Sequence, residues 1–221
     1  MTEAQREPRL CLIATAQGDV DWHARVAAAL EATNAATLIL TAPQAGRIDA
    51  NAARPLVEST QRKDIAVLIA DDVEIASAVG ADGVHLSWRP EIDGAYEAAR
   101  RTLGPNAIVG ADADASRHDA MSLGDAGADY VARSPEIGDD SGAADAQRDL
   151  VTWWSDVFVV PGGAFDVRTP EETADLARRG ADFVAVRLPA APPRPAMPLG
   201  PPHSSQRSML MPTQPEEPPP C

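Results

Sequence analysis

Short apolar runs alternate along this chain with longer segments whose apolar residues recur at helical spacing. The eight apolar runs are Leu10–Thr15, Thr37–Leu40, Ala66–Ala70, Gly83–Leu86, Ala107–Ala111, Tyr130–Arg133, Val157–Val160 and Phe183–Leu188. Seven helical segments separate them, and the clearest are Val20–Thr33, Asp72–Val79, Ile92–Leu103, Ser116–Ala126 and Pro170–Arg179. Strands that alternate with helices form parallel sheets. The pattern therefore predicts an α/β fold, a (β/α)8 TIM barrel with eight parallel strands.

A repeated pentapeptide supports this fold. It occurs as Gly80–Val84, Gly127–Val131 and Gly180–Val184, always where a helical segment ends and an apolar run begins. The Gly supplies the left-handed residue that ends a helix, and the Asp at the third position favours the turn. The copies start 47 and 53 residues apart, about two strand-plus-helix units. A turn that recurs at every second unit is expected in a barrel.

The composition changes after Leu188. Residues 189–221 contain 12 of the 20 prolines of the chain. Proline is excluded from helix interiors, so the eighth helix is predicted to be missing and this segment is predicted to be a disordered tail. The predicted domains are a barrel over residues 1–188 and the Pro-rich tail over 189–221. A tail that docks into the gap left by the eighth helix is the alternative.

The formal net charge of −14 argues against nucleic acid and anionic membranes as partners, because both would repel the chain. Two cysteines, Cys11 and Cys221, do not make a disulfide framework. No apolar stretch is long enough to cross a membrane. We therefore expect a cytoplasmic protein with a small-molecule ligand, and a homo-oligomer is left open.

The segment Val67–Leu86 resembles the third and fourth strands of thiamine phosphate synthases and their TenI relatives. Ala99–Gly110 and Ala126–Val131 support the resemblance, and Val159–Ala164 is similar to the Gly-Gly phosphate loop that follows the seventh strand of that family. The matches are colinear over roughly residues 9–188. The resemblance implies a (β/α)8 barrel and a reaction that joins a pyrimidine diphosphate to a thiazole phosphate with Mg²⁺, releasing pyrophosphate.

The positions that the resemblance marks for this reaction are mostly substituted. Ile39–Pro43 has no cation where the family grips the diphosphate, and Asp72 replaces an Arg that follows the metal-binding Asp, here Asp71. Ser87–Pro90 replaces a Gly-Gln segment, and Ser134–Asp140 replaces a loop rich in Thr and Lys. In the fifth strand, Asp112–Ala115 replaces Ser-x-His-Thr, so that Asp114 stands where TenI-type tautomerases carry a His. No catalytic residue is assigned, and whether the chain is an enzyme stays open.

The remaining polar groups give three candidate sites. Gly162, Gly163, Arg187 and Arg133 are predicted to bind one phosphate group near the seventh and eighth strands. Asp71, Asp112 and Asp114 are candidate ligands of Mg²⁺, with helix capping as the alternative. Trp88 is predicted either to stack on a heteroaromatic ring or to plug the mouth of the barrel, the end where the carboxyl ends of the strands lie. His85 is expected to be a hydrogen-bonded core residue.

The sequence thus predicts a divergent thiamine phosphate synthase/TenI-like protein. It would bind a small phosphorylated or heteroaromatic ligand, in thiamine metabolism or near it, with synthase activity weak or lost. The first alternative is an active synthase, or a related transferase, that uses a rearranged Asp–metal cluster. The second is a non-catalytic partner that forms an oligomer or a complex.

Overall fold

The structure is a computed structural model that describes residues 7–17, 21–44, 46–114, 116–134 and 142–189. Eight strands form one closed parallel barrel in sequence order, and β1 pairs with β8 to complete it. The strands are β1 Arg9–Thr15, β2 Thr37–Thr41, β3 Ala66–Ala70, β4 Gly83–Leu86, β5 Ile108–Asp112, β6 Tyr130–Arg133, β7 Gly162–Ala164 and β8 Phe183–Arg187. The predicted barrel is confirmed.

Seven helices lie between the strands in the described part of the chain. They are α1 Trp22–Thr33, α2 Ala50–Gln61, α3 Val73–Val79, α4 Ile92–Leu103, α5 Arg117–Asp125, α6 Gly142–Val157 and α7 Pro170–Arg178. None of them combines the length and apolarity that crossing a bilayer requires. The start of α7 shows a capping box, in which Thr169 and Glu172 each bind the backbone of the other. The predicted Pro-rich tail lies outside the described residues, except for Pro189.

Side chains alternate between the two faces of each strand, and this alternation divides the core into two parts. Outward-facing residues such as Leu38, Ile69 and Val131 pack against the helices. Inward-facing residues fill the barrel, among them Cys11, Ile39, Leu68, Phe165 and Ala185. Neighbouring residues at the end of a strand therefore point to different places, one into the barrel and the next into the helix layer.

The Asp of each repeated pentapeptide fastens a strand to the one before it. The carboxylate Oδ2 of Asp82, Asp129 and Asp182 accepts the backbone N–H of Val67, Val109 and Gly162 respectively, at 2.7, 2.7 and 2.8 Å. The N–H of each Asp donates in turn to the carbonyl of that same residue. The three glycines have φ of +71°, +85° and +94°, as the sequence predicts for helix ends. The repeat therefore joins β4 to β3, β6 to β5 and β8 to β7.

The seventh strand is not where the apolar pattern puts it. Val157–Val160 was expected to be the strand, but α6 extends to Val157, and the strand is Gly162–Ala164. Phe158 of this run stacks on Trp154 at 4.1 Å, and the Val160 carbonyl accepts the Trp154 indole N–H, whereas the side chains of Val157 and Val159 are exposed. Gly162 and Gly163 consequently lie inside the strand and not in a loop after it.

Candidate functional site

The carboxyl ends of the strands carry the candidate site residues, and the acids among them bind neighbouring loops. Asp71 follows β3 in a left-handed conformation, with φ of +59°. Its carboxylate accepts the N–H and the hydroxyl of Ser87, at 2.9 and 2.6 Å, and pairs with the Arg89 guanidinium. Asp71 thus connects the loop after β3 to the loop after β4.

Asp112 makes the corresponding connection between β5 and β6. Its Oδ1 accepts the backbone N–H of Asp114 at 2.8 Å and of Ser134 at 3.2 Å. The residue is only 5% exposed, so these hydrogen bonds supply part of the stabilisation that water would give to the charge. Asp114 has φ of +51°, a turn conformation that Asp tolerates better than most residues.

The arginines near the mouth are paired with acids from adjacent loops. Arg187 ends β8 and binds Asp166, which follows β7, through Nε at 2.9 Å and Nη2 at 3.3 Å. Arg89 pairs with Asp71, and Arg47, in the loop after β2, pairs with Asp72 and Glu74. Each of these guanidinium groups therefore already has a carboxylate partner.

The predicted metal ligands do not form a metal site in this arrangement. Among the described residues, no group of three or more His, Cys, Asp and Glu side chains is arranged to hold a metal ion. Asp71 gives both of its oxygens to Ser87, and Asp112 binds backbone N–H groups. Asp72, its neighbour in the sequence, caps α3 by accepting the Ile75 N–H. These contacts explain Asp71 and Asp112 without a metal ion, the role of Asp71, Asp112 and Asp114 as Mg²⁺ ligands stays a prediction, and the capping alternative describes Asp72.

Arg133 and Arg187 are not brought together, although both end strands. Tyr130 and Ala132 face the barrel interior, so Arg133 faces the helix layer, where its guanidinium lies 4.7 Å from the centre of the Trp154 ring. The residue is 1% exposed, and none of its three side-chain nitrogens has a hydrogen-bond partner among the residues described. Burial lowers the Arg133 pKa to about 10, against the opposing effect of the Asp112 charge.

Gly162 and Gly163 are small because aromatic rings lie against them. A Cβ atom on Gly162 would be 2.7 Å from the Trp154 ring, and one on Gly163 would be 2.0 Å from the Phe183 ring. The Gly162 N–H is already used by Asp182. The predicted phosphate role of this pair stays a prediction, and the contacts described here explain the two glycines by packing.

Trp88 lies at the edge of the mouth with 43% of its surface exposed. Its indole N–H donates to Asp119 of α5 at 2.9 Å, so one edge of the ring is held against the first turn of that helix. A ring fixed at one edge and exposed elsewhere has a surface on which a planar ligand can stack. Stacking on a ligand and plugging the mouth both stay predictions for Trp88.

His85 is a hydrogen-bonded residue of the barrel interior. Its Nδ1 lies 2.9 Å from the Tyr130 hydroxyl, and its ring stacks on Phe165 with centroids 4.6 Å apart. Burial lowers the His85 pKa, while the negative charges of Asp112, Asp71 and Asp166 oppose this shift. No partner for His85 could be predicted from the sequence pattern, because Tyr130 lies 45 residues further along the chain.

Asp166 was missed by the sequence analysis. Asp166 follows β7, Gly162–Ala164. Because the seventh strand was expected to end at Val160, Asp166 fell in a loop to which no role was assigned. A strand that begins at Gly162 would have marked it, because the residue after a barrel strand lies at the mouth. Its carboxylate is the partner of Arg187, the one predicted phosphate-binding side chain that lies at this end of the barrel interior.

Comparison with solved structures agrees with the fold. Thiamine phosphate pyrophosphorylase from Pyrococcus furiosus superimposes with a TM-score of 0.63 over 84% of this chain and 88% of that chain, at 23% identity. The tryptophan synthase α-subunit of the same organism gives 0.64 over 82% and 88%, at 17% identity. At these identities the likeness concerns the barrel alone.

Sequence comparison is more specific. The chain is 38% identical over 194 residues to the thiamine-phosphate synthase of Hyphomonas neptunium, covering 83% of this chain and 86% of that protein. It is 39% identical over 141 residues to that of Erythrobacter litoralis, but there it spans only 65% of the relative. The family model described as thiamine monophosphate synthase (TMP-TENI) matches residues 10–188. With the closed barrel in place over these residues, the chain belongs to the thiamine monophosphate synthase family.

Proposed function

We propose that this chain binds a small phosphorylated or heteroaromatic ligand at the carboxyl end of its barrel, and that its synthase activity is weak or lost. The ion pairs of the mouth carry the proposal, because Arg89 and Arg187 are bound to Asp71 and Asp166. In the family reaction a diphosphate and a phosphate must be held together. This requires cations or metal ions that are available to the substrate.

Repulsion between the carboxylates of the mouth and a diphosphate is large enough to lower the affinity for the diphosphate. Two like charges about 6 Å apart repel by about 3 kcal/mol at an effective dielectric constant of about 20, which is about a hundredfold in affinity. The carboxylates of Asp71, Asp112 and Asp166 outnumber the two guanidinium groups of Arg89 and Arg187 that lie with them. A diphosphate would meet this excess of negative charge, whereas a single phosphate or a neutral ring meets less of it.

A single phosphate can use Arg187. The guanidinium presents Nε and Nη2 as a fork to Asp166, and a phosphate accepts the same pair of hydrogen bonds. The Arg187 side chain is 49% exposed and that of Asp166 is 28% exposed. Opening an ion pair of this exposure costs about 0–1 kcal/mol, so exchange of the carboxylate for a phosphate is feasible. A heteroaromatic part of the ligand would stack on Trp88.

The proposal is tested by titrating the full chain with thiamine phosphate, thiazole phosphate and pyrophosphate, with and without Mg²⁺, by calorimetry. We expect a phosphorylated ligand to bind without Mg²⁺, and Arg187→Ala to weaken it at least tenfold. Arg101→Ala, which changes an exposed arginine of α4, is the matched control and should leave the affinity unchanged. If the Arg187→Ala variant bound the phosphorylated ligands as tightly as the unchanged chain, the proposal of a site at Arg187 would be wrong.

An active synthase, or a related transferase that works with a metal ion, is the second candidate. It is favoured by the relatives named thiamine-phosphate synthase, at 38% identity over 83% of this chain. The test is an assay of thiamine phosphate formation from the pyrimidine diphosphate and the thiazole phosphate with Mg²⁺. Turnover that EDTA abolishes, and that Asp71→Asn reduces while Asp93→Asn does not, would favour this candidate over the first.

A further inference from the structure

A cavity of about 400 Å³ lies in the lower part of the barrel, away from the mouth. Residues that begin strands line it, including Thr37, Ala66, Ile108 and Phe183, so it belongs to the amino-terminal end of the barrel. Its deeper wall is made by Cys11, Ile39, Leu68 and Phe165, each at most 3% exposed. The interior of a (β/α)8 barrel is normally filled by layers of side chains, so an open lower layer needs an explanation.

The cavity exists because two glycines leave room for aromatic rings against the barrel wall. A Cβ atom on Gly110 would lie 2.0 Å from the Tyr130 ring, and one on Gly163 would lie 2.0 Å from the Phe183 ring. Each ring therefore lies flat against the neighbouring strand instead of reaching across the barrel. The hydrogen bond between the Tyr130 hydroxyl and His85 holds the first ring there. The space that the two rings leave is bounded on the other side by Cys11, Ile39 and Leu68.

The chemistry of the lining favours a neutral apolar molecule. The rings of Tyr130, Phe165 and Phe183 form one aromatic wall, with Tyr130 and Phe183 edge to face at 5.0 Å. The Tyr130 hydroxyl is already bound to His85. Arg9 and Asp64 lie at the rim with opposite charges, and a third rim residue, Asp129, is paired with Arg100. The rim thus offers no net attraction for a cation or an anion.

The size is that of a ligand site. Small-molecule pockets are about 300–1,000 Å³, and an apolar cavity of about 150 Å³ is large enough for benzene. We propose that this cavity binds a small neutral aromatic molecule, about the size of a two-ring compound, that enters from the amino-terminal end of the barrel. The site is separate from the mouth, and it does not depend on the function proposed above.

Indole is the probe for the first experiment, in calorimetric titrations of the full chain. We expect saturable binding of one indole per chain. Ala66→Phe, which fills the cavity near its entrance, should weaken this binding at least tenfold. Ala98→Phe places the same ring on the exposed face of α4 and should leave the affinity unchanged. Arg187→Ala should also leave it unchanged, because Arg187 lies at the opposite end of the barrel.

A second measurement locates the molecule directly and does not need the variant to fold. Crystals of the unchanged chain soaked with bromobenzene should show an anomalous bromine signal between Leu68 and Phe165. The proposal is overturned if the bromine signal is found only outside the cavity or is absent, or if indole binds Ala66→Phe as tightly as the unchanged chain. Failure of thiamine phosphate to bind at the mouth, by contrast, would bear only on the proposed function.

Discussion

Arg187 donates from Nε and Nη2 to the two carboxylate oxygens of Asp166, across the gap between β8 and the loop after β7. The pair links the last two strands at the mouth, where the family reaction would need a cation for phosphate. Asp71 with Arg89 and Asp72 with Arg47 repeat this arrangement between other loops. An anionic ligand at the mouth must therefore compete with the carboxylates of these ion pairs for the guanidinium groups.

Asp166→Asn should strengthen the binding of phosphorylated ligands. The change removes a negative charge beside Arg187 and leaves a side chain of the same shape. We expect thiamine phosphate to bind about threefold to tenfold more tightly, with the gain shrinking at high salt as the charges are screened. Calorimetry at two salt concentrations measures this effect. Asp93→Asn, at an exposed position of α4, is the control. An equal gain in affinity in that variant would show that the net charge of the chain, and not the charge beside Arg187, sets the affinity.

The repeated Asp residues should contribute strongly to stability. In Asp182→Ala the Gly162 N–H loses its carboxylate acceptor, and an unsatisfied buried donor costs about 1–3 kcal/mol. Asp182→Asn keeps an oxygen acceptor and should lose less. Urea denaturation measures both variants, with Glu97→Ala, at an exposed position in the middle of α4, as a surface control that we expect to change the free energy of unfolding by less than about 0.5 kcal/mol. A loss no greater than that in Asp182→Ala would contradict this role of the repeat.

The barrel could be predicted from the sequence because each signal for it is local. The bounds of β3, β4, β6 and α4 agree with the apolar pattern residue for residue. The seventh strand could not be found this way, since Gly162–Ala164 has almost no side chain to make a pattern. Of the apolar residues just before it, Phe158 stacks on Trp154 of α6, and Val159 is exposed.

The site was harder to predict because it depends on which face of a strand each residue occupies. Arg133 and Arg187 both end strands, but the register puts the first in the helix layer and the second at the mouth. The acids were correctly expected at strand ends. Their partners, however, come from other loops, 16 residues away for Asp71 and Ser87, and a periodic pattern does not reveal such contacts.

Gly163→Ala should destabilise the barrel. Its Cβ atom would lie 2.0 Å from the Phe183 ring, which has to move and lose its packing. We expect a loss of about 1–3 kcal/mol in the free energy of unfolding, measured in urea. Gly94→Ala is the matched control, because a Cβ atom there meets nothing within 4 Å and Ala favours the helix by up to about 1 kcal/mol. Equal effects at the two positions would contradict the packing explanation.

Arg133→Met should be neutral or stabilising. The buried guanidinium has no hydrogen-bond partner among the described residues, and an apolar side chain of similar length avoids the cost of burying its charge. Loss of the contact with Trp154 offsets about 0.5–2 kcal/mol of this gain, and loss of the attraction to the buried Asp112 carboxylate offsets a further part. Arg133→Ala leaves a cavity and should be less stable than Arg133→Met.

The same Met variant tests the predicted phosphate role of Arg133. Since its guanidinium lies in the helix layer over Trp154, thiamine phosphate affinity should be unchanged in Arg133→Met. Calorimetry with the unchanged chain as reference decides this point. A tenfold loss of affinity would instead return Arg133 to the ligand site.

His85 should make stability fall as the pH is lowered below about 6.5, the His pKa expected in the unfolded chain. Burial lowers the His85 pKa in the folded protein, so between the two pKa values the unfolded chain binds more protons than the folded one. The free energy of unfolding therefore rises with pH in this window, by at most about 1.4 kcal/mol per pH unit for one group. His85→Gln should flatten the dependence between pH 7.5 and 5, whereas exposed His118→Gln should not. Urea denaturation at several pH values measures how steeply the free energy of unfolding changes with pH. Equal slopes for His85→Gln and the unchanged chain would show that His85 is protonated as easily in the folded barrel as in the unfolded chain.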